Sequence, residues 1–171
     1  MEDLKQCIRE VPDFPKAGIL FYDITTLLKD RVALRKTIDR LSWLFAERQV
    51  DKVVGIESRG FLFGAQVAYK LNAGFVPVRK PGKLPHETVG ANYDLEYGTD
   101  RLEMHRDAIA PGERVLVVDD LVATGGTALA CAQLVEGLGG SVAGMAFVIE
   151  LSFLGPRQRL APYRLESLIQ Y

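Results

Sequence analysis

Asp119 and Asp120 stand side by side in the segment VLVVDDLVATGGT, residues 115–127. Four apolar residues lead into the acids, and a run of small residues follows them. Ala123, Thr124, Gly125, Gly126 and Thr127 then open a second apolar stretch, ALACAQLVEGL at 128–138. Each residue type has a chemical use. Glycine lets the backbone turn tightly and come close to a ligand. Free N–H groups at a helix start attract anions. Threonine hydroxyls donate to phosphate oxygens. A phosphate would repel the two carboxylates, so they need a different partner. Ribose hydroxyls are donors that suit ionised acids. One strand, loop and helix can therefore hold a ribose 5-phosphate. The plainer alternative is a strand–turn–helix junction with Asp120 as a local cap. Two acids, two threonines and two glycines in this order favour the ligand. The chain has neither GxGxxG nor GxxxxGK[ST], which argues against dinucleotide and P-loop sites.

Elements must position these residues. KVVGIE (52–57), GFVPV (74–78), RVLVV (114–118) and SVAGMAFVIE (141–150) read as apolar strands, and RLEMH (101–105) as an alternating one. Helices are expected over 2–10, over 31–48 behind an Asp30 cap, over 61–71 and over 128–138, the last stopped by Gly139 and Gly140. The stretch 13–28 reads as a Pro/Gly-broken connection, 79–98 as hairpin pieces with a mobile loop, and 163–169 as a last strand. Strands alternating with helices imply an α/β fold with a mainly parallel central sheet flanked by helices. Ligands in such sheets bind beyond the strands' carboxyl ends, where the acids lie. Residues 1–171 read as a single domain, with residues 1–30 as a small N-terminal flap over the sheet.

Composition bounds the rest. The chain has 171 residues, 48% of them hydrophobic, and a net charge of −1. That suits one globular domain and gives no general polyelectrolyte surface, so no nucleic-acid partner is expected. Cys7 and Cys131 have neither CxxC spacing nor a nearby His, so they form no disulfide framework or zinc site. The start lacks the apolar run of a signal peptide, and no stretch approaches the ~18 apolar residues of a membrane span. A cytoplasmic protein without a membrane partner is expected. His86 and His105 read as structural. RKPGK (79–83) puts Arg79, Lys80 and Lys83 on a Gly/Pro-shaped loop with no acid beside them, which is either a solvated basic loop or a seat for a polyanion.

VVDDLVATGGT resembles the phosphoribosyl-pyrophosphate (PRPP) motif of type I phosphoribosyltransferases. DFPKAGILFYDIT (13–25), GIESRGFLFG (55–64), VPVRKPGKLP (76–85) and YDLEYG (93–98) resemble, in order, segments of the adenine phosphoribosyltransferase family. The resemblance implies a type I phosphoribosyltransferase fold and transfer of phosphoribose from PRPP to adenine N9, giving AMP and pyrophosphate in purine salvage. It implies Asp119 and Asp120 on the ribose hydroxyls and residues 123–127 around the 5-phosphate. Ser58, Arg59, Arg79, Lys80 and Lys83 would hold the pyrophosphate, with a cis peptide near Glu57-Ser58. Leu20, Phe21, Tyr22 and Leu121 would surround the adenine. Some members carry Arg where Tyr22 stands. Glu96 would be the acid/base partner of adenine N7, on a loop that closes over PRPP. Hypoxanthine-guanine enzymes usually carry Asp where this chain has Ala123. Mg²⁺ would arrive with PRPP, with no ligand directly from the protein, and a homodimer is expected. A phosphoribosyltransferase for xanthine or for hypoxanthine and guanine is the alternative, followed by a non-catalytic PRPP-binding regulator. Only ~50 residues precede the first core strand, without a clear helix-turn-helix or basic face.

Overall fold

The computed structural model describes residues 2–94 and 99–171. Helix α1 (Glu2–Lys5) leads into an antiparallel pair, β1 (Arg9–Pro12) and β2 (Leu20–Asp23), and α2 (Thr25–Lys29) and α3 (Arg31–Trp43) follow. Strand β3 (Lys52–Ile56), helix α4 (Gly60–Leu71) and strand β4 (Gly74–Val78) form a right-sized crossover unit. A hairpin of β5 (Thr88–Asp94) and β6 (Thr99–His105) comes next. The chain continues through β7 (Arg114–Val122), α5 (Gly126–Gly137) and β8 (Ser141–Glu150). A 3₁₀ turn (Ser152–Leu154), α6 (Pro156–Arg159) and β9 (Leu165–Gln170) complete it.

The main sheet is parallel throughout and ordered β4-β3-β7-β8-β9. From β3 the chain moves outward to β4, then returns to the other side of β3 with β7. The carboxyl ends of β3 and β7 thus flank the point where the order reverses. A crevice is expected there in an open α/β sheet.

Alternation along the strands builds a core on each face. Val115 and Val117 pack with Val54, Met145, Phe147 and the buried side of α5. Leu116 and Val118 pack with Val53, Ala146, Val148, α3 and α4. Both faces are covered, so β7 reads as a continuous apolar run until its acids. Leu4, Ile8, Tyr22 and Leu27 belong to the second core, so the N-terminal segment shares the main body's packing. Tyr22 lies against Tyr171, their ring centroids 3.9 Å apart, and Asp3 pairs with Arg40 and Lys36. Among the described residues, no helix is long and apolar enough to cross a membrane.

The sequence expectations need local corrections. The helix expected over 2–10 stops at Lys5, because residues 9–12 pair with 20–23. Helix α3 begins behind Asp30, whose Oδ1 accepts from the Val32 and Ala33 amides at 2.8 and 2.9 Å. It ends at Trp43, and the apolar spacing that continues to Phe45 reflects burial within turns. Strand β7 runs past Val118 to Val122, so both acids lie inside the ladder, with Asp119 opposite Phe147.

Candidate active site

Two units meet at the crevice. The first is the end of β7 with the turn into α5. Asp119 Oδ1 accepts from the Asp120 amide at 2.8 Å. Asp120 is only 5% exposed, and its Oδ2 is buried without a well-angled hydrogen bond. Its charge is met by Arg59, whose Nε lies 2.9 Å away. Burial, reinforced by the charge of Asp120, pushes the Asp119 carboxyl well above the ordinary range. Burial also raises Asp120, with Arg59 opposing it.

Beyond the acids, Gly125 takes a left-handed conformation (φ +85°) and opens α5. A Cβ there would lie 3.1 Å from Leu160 Cγ, so both conformation and space call for glycine. The small residues found in the sequence thus form a real turn at a helix N-terminus. It borders a cavity of about 440 Å³, lined by Asp119, Leu121, residues 123–127, Phe147 and Leu154. Ala123 brings no titratable group to this wall.

The second unit is the turn after β3. Glu57-Ser58 is a cis peptide, as the resemblance implied. Ser58 is exposed, and Gly60 starts α4 against β7. Arg59 reaches Asp120 on one side and stands 5.5 Å from the Phe21 ring on the other. Phe14 meets Phe21 edge-on at 5.1 Å, so the tip of the N-terminal segment lies at this crevice.

The basic loop departs from its sequence picture. Arg79, Lys80 and Lys83 have no acid beside them in the chain, but the fold supplies acids from elsewhere. Arg79 Nε donates to Glu57 Oε2 at 3.0 Å. Lys80 Nζ pairs with Asp100 and reaches the Tyr93 hydroxyl at 3.3 Å. The Gly82 amide donates to Glu103 at 3.1 Å. Burial works against the Glu57 carboxylate, yet the Lys80 amide and Arg79 outweigh it and hold its pKa below the ordinary range. Lys83 is exposed.

Leu20 is exposed and Phe21 half-buried, whereas the Tyr22 ring is buried against Tyr171. Leu121 lines the cavity beside the turn. Glu96 lies outside the described residues. Sequence reasoning missed Phe147 and Leu154 on the cavity wall, and the pairing of Glu150 with Arg157. The available signal was the Gly155-Pro156 break, which marks a turn but not its neighbours.

The crevice fold, the acid pair and the anion turn define a phosphoribosyl transferase domain, and the family model of that description matches residues 23–166. The chain is 63% identical to an adenine phosphoribosyltransferase of Solibacter usitatus over 171 residues, covering 100% of this chain and 99% of the relative. The crystal structure of adenine phosphoribosyltransferase from Thermoanaerobacter pseudethanolicus matches with a TM-score of 0.97 and 55% identity, over 99% of each chain. The Saccharomyces cerevisiae enzyme, solved with an imino-altritol bisphosphate and adenine, matches with a TM-score of 0.91 and 43% identity, over 98% of this chain and 97% of that one. The chain belongs to the adenine phosphoribosyltransferase family.

Proposed function

We propose that the protein transfers the phosphoribosyl group of PRPP to N9 of adenine, releasing AMP and pyrophosphate. The observation that carries this reading is the acid pair, half-buried Asp119 and buried Asp120, set two residues before a glycine turn at a helix N-terminus. That pairing suits a ligand with hydroxyl donors and a phosphate a few ångströms apart. Asp119 and Asp120 take the ribose hydroxyls, and Ala123, Thr124, Gly125, Gly126 and Thr127 take the 5-phosphate. Ser58, Arg59, Arg79, Lys80 and Lys83 face the pyrophosphate. Phe21 and Leu121 cover the faces of adenine, with the main chain at Leu20 and Tyr22 along its edge. Residues 1–30 act as a flap over that base within a single domain of 1–171.

Adenine N9 forms its bond to ribose C1 while the C1–oxygen bond breaks, and the electron pair leaves with pyrophosphate. C1 is inverted. Positive charge develops on C1 and the ring oxygen, and the purine must shed a proton. Glu96 accepts it through N7, since Ala123 has no group to do so. The protein mainly positions the reactants and stabilises charge.

Mg²⁺ takes oxygen ligands and retains much of its water. The site's donor set fits an ion carried by PRPP. Buried Asp120 Oδ2 meets Arg59 without a well-angled hydrogen bond, and Asp119 and Asp120 would hold the ion through ribose hydroxyls or water. When bound, it neutralises charge on the leaving pyrophosphate. A homodimer in the cytoplasm completes the reading.

The test is a PRPP-dependent assay with Mg²⁺ across adenine, hypoxanthine, guanine, xanthine and orotate. AMP from adenine alone is expected. Turnover of another base in preference to adenine reassigns the specificity, and no turnover with any base overturns the enzyme reading.

A further inference from the structure

We propose that Arg157 and Glu150 are positioning residues for the 5-phosphate turn, acting through α6; this rests on the functional reading above. Glu150 ends β8 and is 1% exposed. Arg157 grips it with two parallel bonds, Nε to Oε1 at 2.8 Å and Nη2 to Oε2 at 2.7 Å. The Ser167 hydroxyl adds a bond at 2.6 Å, and Arg157 Nη1 reaches the Leu165 carbonyl at 3.2 Å. The clamp therefore ties α6 to β8 and β9 at once.

Glu150 is buried but the Arg157 side chain is 51% exposed, and a pair with one buried charge is weak evidence for net stability. Its better-attested use is to select one arrangement. The two-point fork fixes direction as well as distance. Helix α6 has only four residues, far too few to hold its shape alone. Its placement depends on what anchors it.

What α6 touches gives the anchor a function. Leu160, one residue past α6, lies behind Gly125, and the Pro156 carbonyl stands 3.6 Å from where a Gly125 Cβ would be. Leu154, just before α6, lines the cavity that the turn borders. The Leu151 amide donates to the Val122 carbonyl at 3.0 Å, tying the start of this segment to the strand that delivers the acids. The C-terminal segment thus backs the phosphate turn, and the Glu150–Arg157 fork sets its distance.

The experiment compares the full-length protein with Arg157→Ala and Arg157→Lys. It measures affinity for ribose 5-phosphate and for pyrophosphate, and KM for PRPP and adenine. In Arg157→Ala, ribose 5-phosphate affinity should fall and PRPP KM rise by about tenfold, in keeping with the sensitivity of bound reactants to sub-ångström misplacement. Pyrophosphate affinity and adenine KM should stay within about twofold of wild type on the same ground. Arg157→Lys keeps Glu150 neutralised but loses the fork, so its loss should be intermediate. It is also the variant that decides if Arg157→Ala does not fold. Unchanged ribose 5-phosphate affinity in a folded variant overturns the proposal, as does an equal loss for all four ligands. The wild type separates the two readings. Binding of ribose 5-phosphate without turnover of adenine defeats the enzyme reading and leaves this one open to the same ratio. No binding by wild type defeats both.

Discussion

Replacing Gly60 with alanine tests whether the first turn of α4 and the acid pair share one tightly filled space. A Cβ at Gly60 would lie 2.8 Å from Asp119 Oδ1, 2.9 Å from the Val118 carbonyl oxygen and 3.4 Å from Asp119 Cα. Two of these contacts are closer than real Cβ atoms come. The Val118 carbonyl belongs to a central strand and cannot yield. Relief must come from Asp119 turning away or from α4 lifting off the sheet. Overpacking of this kind costs about 1–3 kcal/mol. Better helix propensity returns less than about 1 kcal/mol at a helix start. A net loss of roughly 1–2 kcal/mol lowers Tm by about 2–8 °C for a chain of this size. The functional effect should be larger. Displacing a charge-assisted hydrogen bond, worth about 1.5–3 kcal/mol, weakens PRPP binding by roughly 10–100-fold. Calorimetry and PRPP KM read the two effects. Gly137→Ala in α5 is the control, because a Cβ there meets nothing within 4 Å. If Gly60→Ala behaves like Gly137→Ala in both assays, the argument for a shared, filled space is wrong.

Two further substitutions address the acids. Burial and the neighbouring charge of Asp120 raise the pKa of Asp119 in the folded state. Its protonated form therefore stabilises the fold below the unfolded carboxylate pKa of about 3.9, and this contribution is lost as pH rises through the raised folded value. At neutral pH, Asp119→Asn should raise Tm, within the ~0.5–2 kcal/mol that stabilising substitutions reach, while weakening PRPP binding by about tenfold. Wild-type affinity for ribose 5-phosphate should weaken on acidification at a pH above the ordinary carboxylate range, and titrations at a series of pH values check both sign and position. Glu96→Gln should lower kcat by about 10²-fold or more while PRPP KM moves less than about twofold, the loss expected for a general acid/base; unchanged turnover sinks the assignment.

The site's two chemical centres were legible in the sequence to different degrees. Asp119, Asp120 and residues 123–127 are contiguous, so one strand–turn–helix unit carries their geometry with it. The Asp30 cap was readable for the same reason, since its partners are two and three residues away. The basic loop was not, because the acids that meet Arg79 and Lys80 are Glu57 and Asp100, about twenty residues distant in either direction. The parallel pairing of β3 with β4 and the antiparallel bridge of Arg79 to Glu103 on β6 bring them together. The same holds for Glu150 and Arg157. Their seven-residue spacing carries no meaning until the 3₁₀ turn and α6 fold the chain back over the end of β8. The strands of residues 9–12 and 20–23 escaped because four residues are too few for a period to register.

This pairing changes what the near-neutral net charge means. Arg59, Arg79 and Lys80 are not free cations awaiting an anion; each is matched by an acid. Their side chains are 44%, 34% and 41% exposed, so water already screens them. The pairs of Arg79 and Lys80, part-exposed on both sides, are worth about 0–1 kcal/mol and open at little cost, whereas the Asp120 side chain is 7% exposed and its pair with Arg59 opens only as another donor takes the place of Arg59. On the proposed reading, ligand binding is then an exchange of partners. Arg59 moves from Asp120 to phosphate oxygens, and a ribose hydroxyl takes its place on Asp120. The same movement changes the cation beside Phe21, where the base would lie. Charge therefore contributes less to long-range capture than to matching the ligand at short range. A strongly basic crevice would hold any polyanion. A paired one releases its cations only to a ligand that also satisfies the acids, and a molecule with hydroxyls next to phosphates does both.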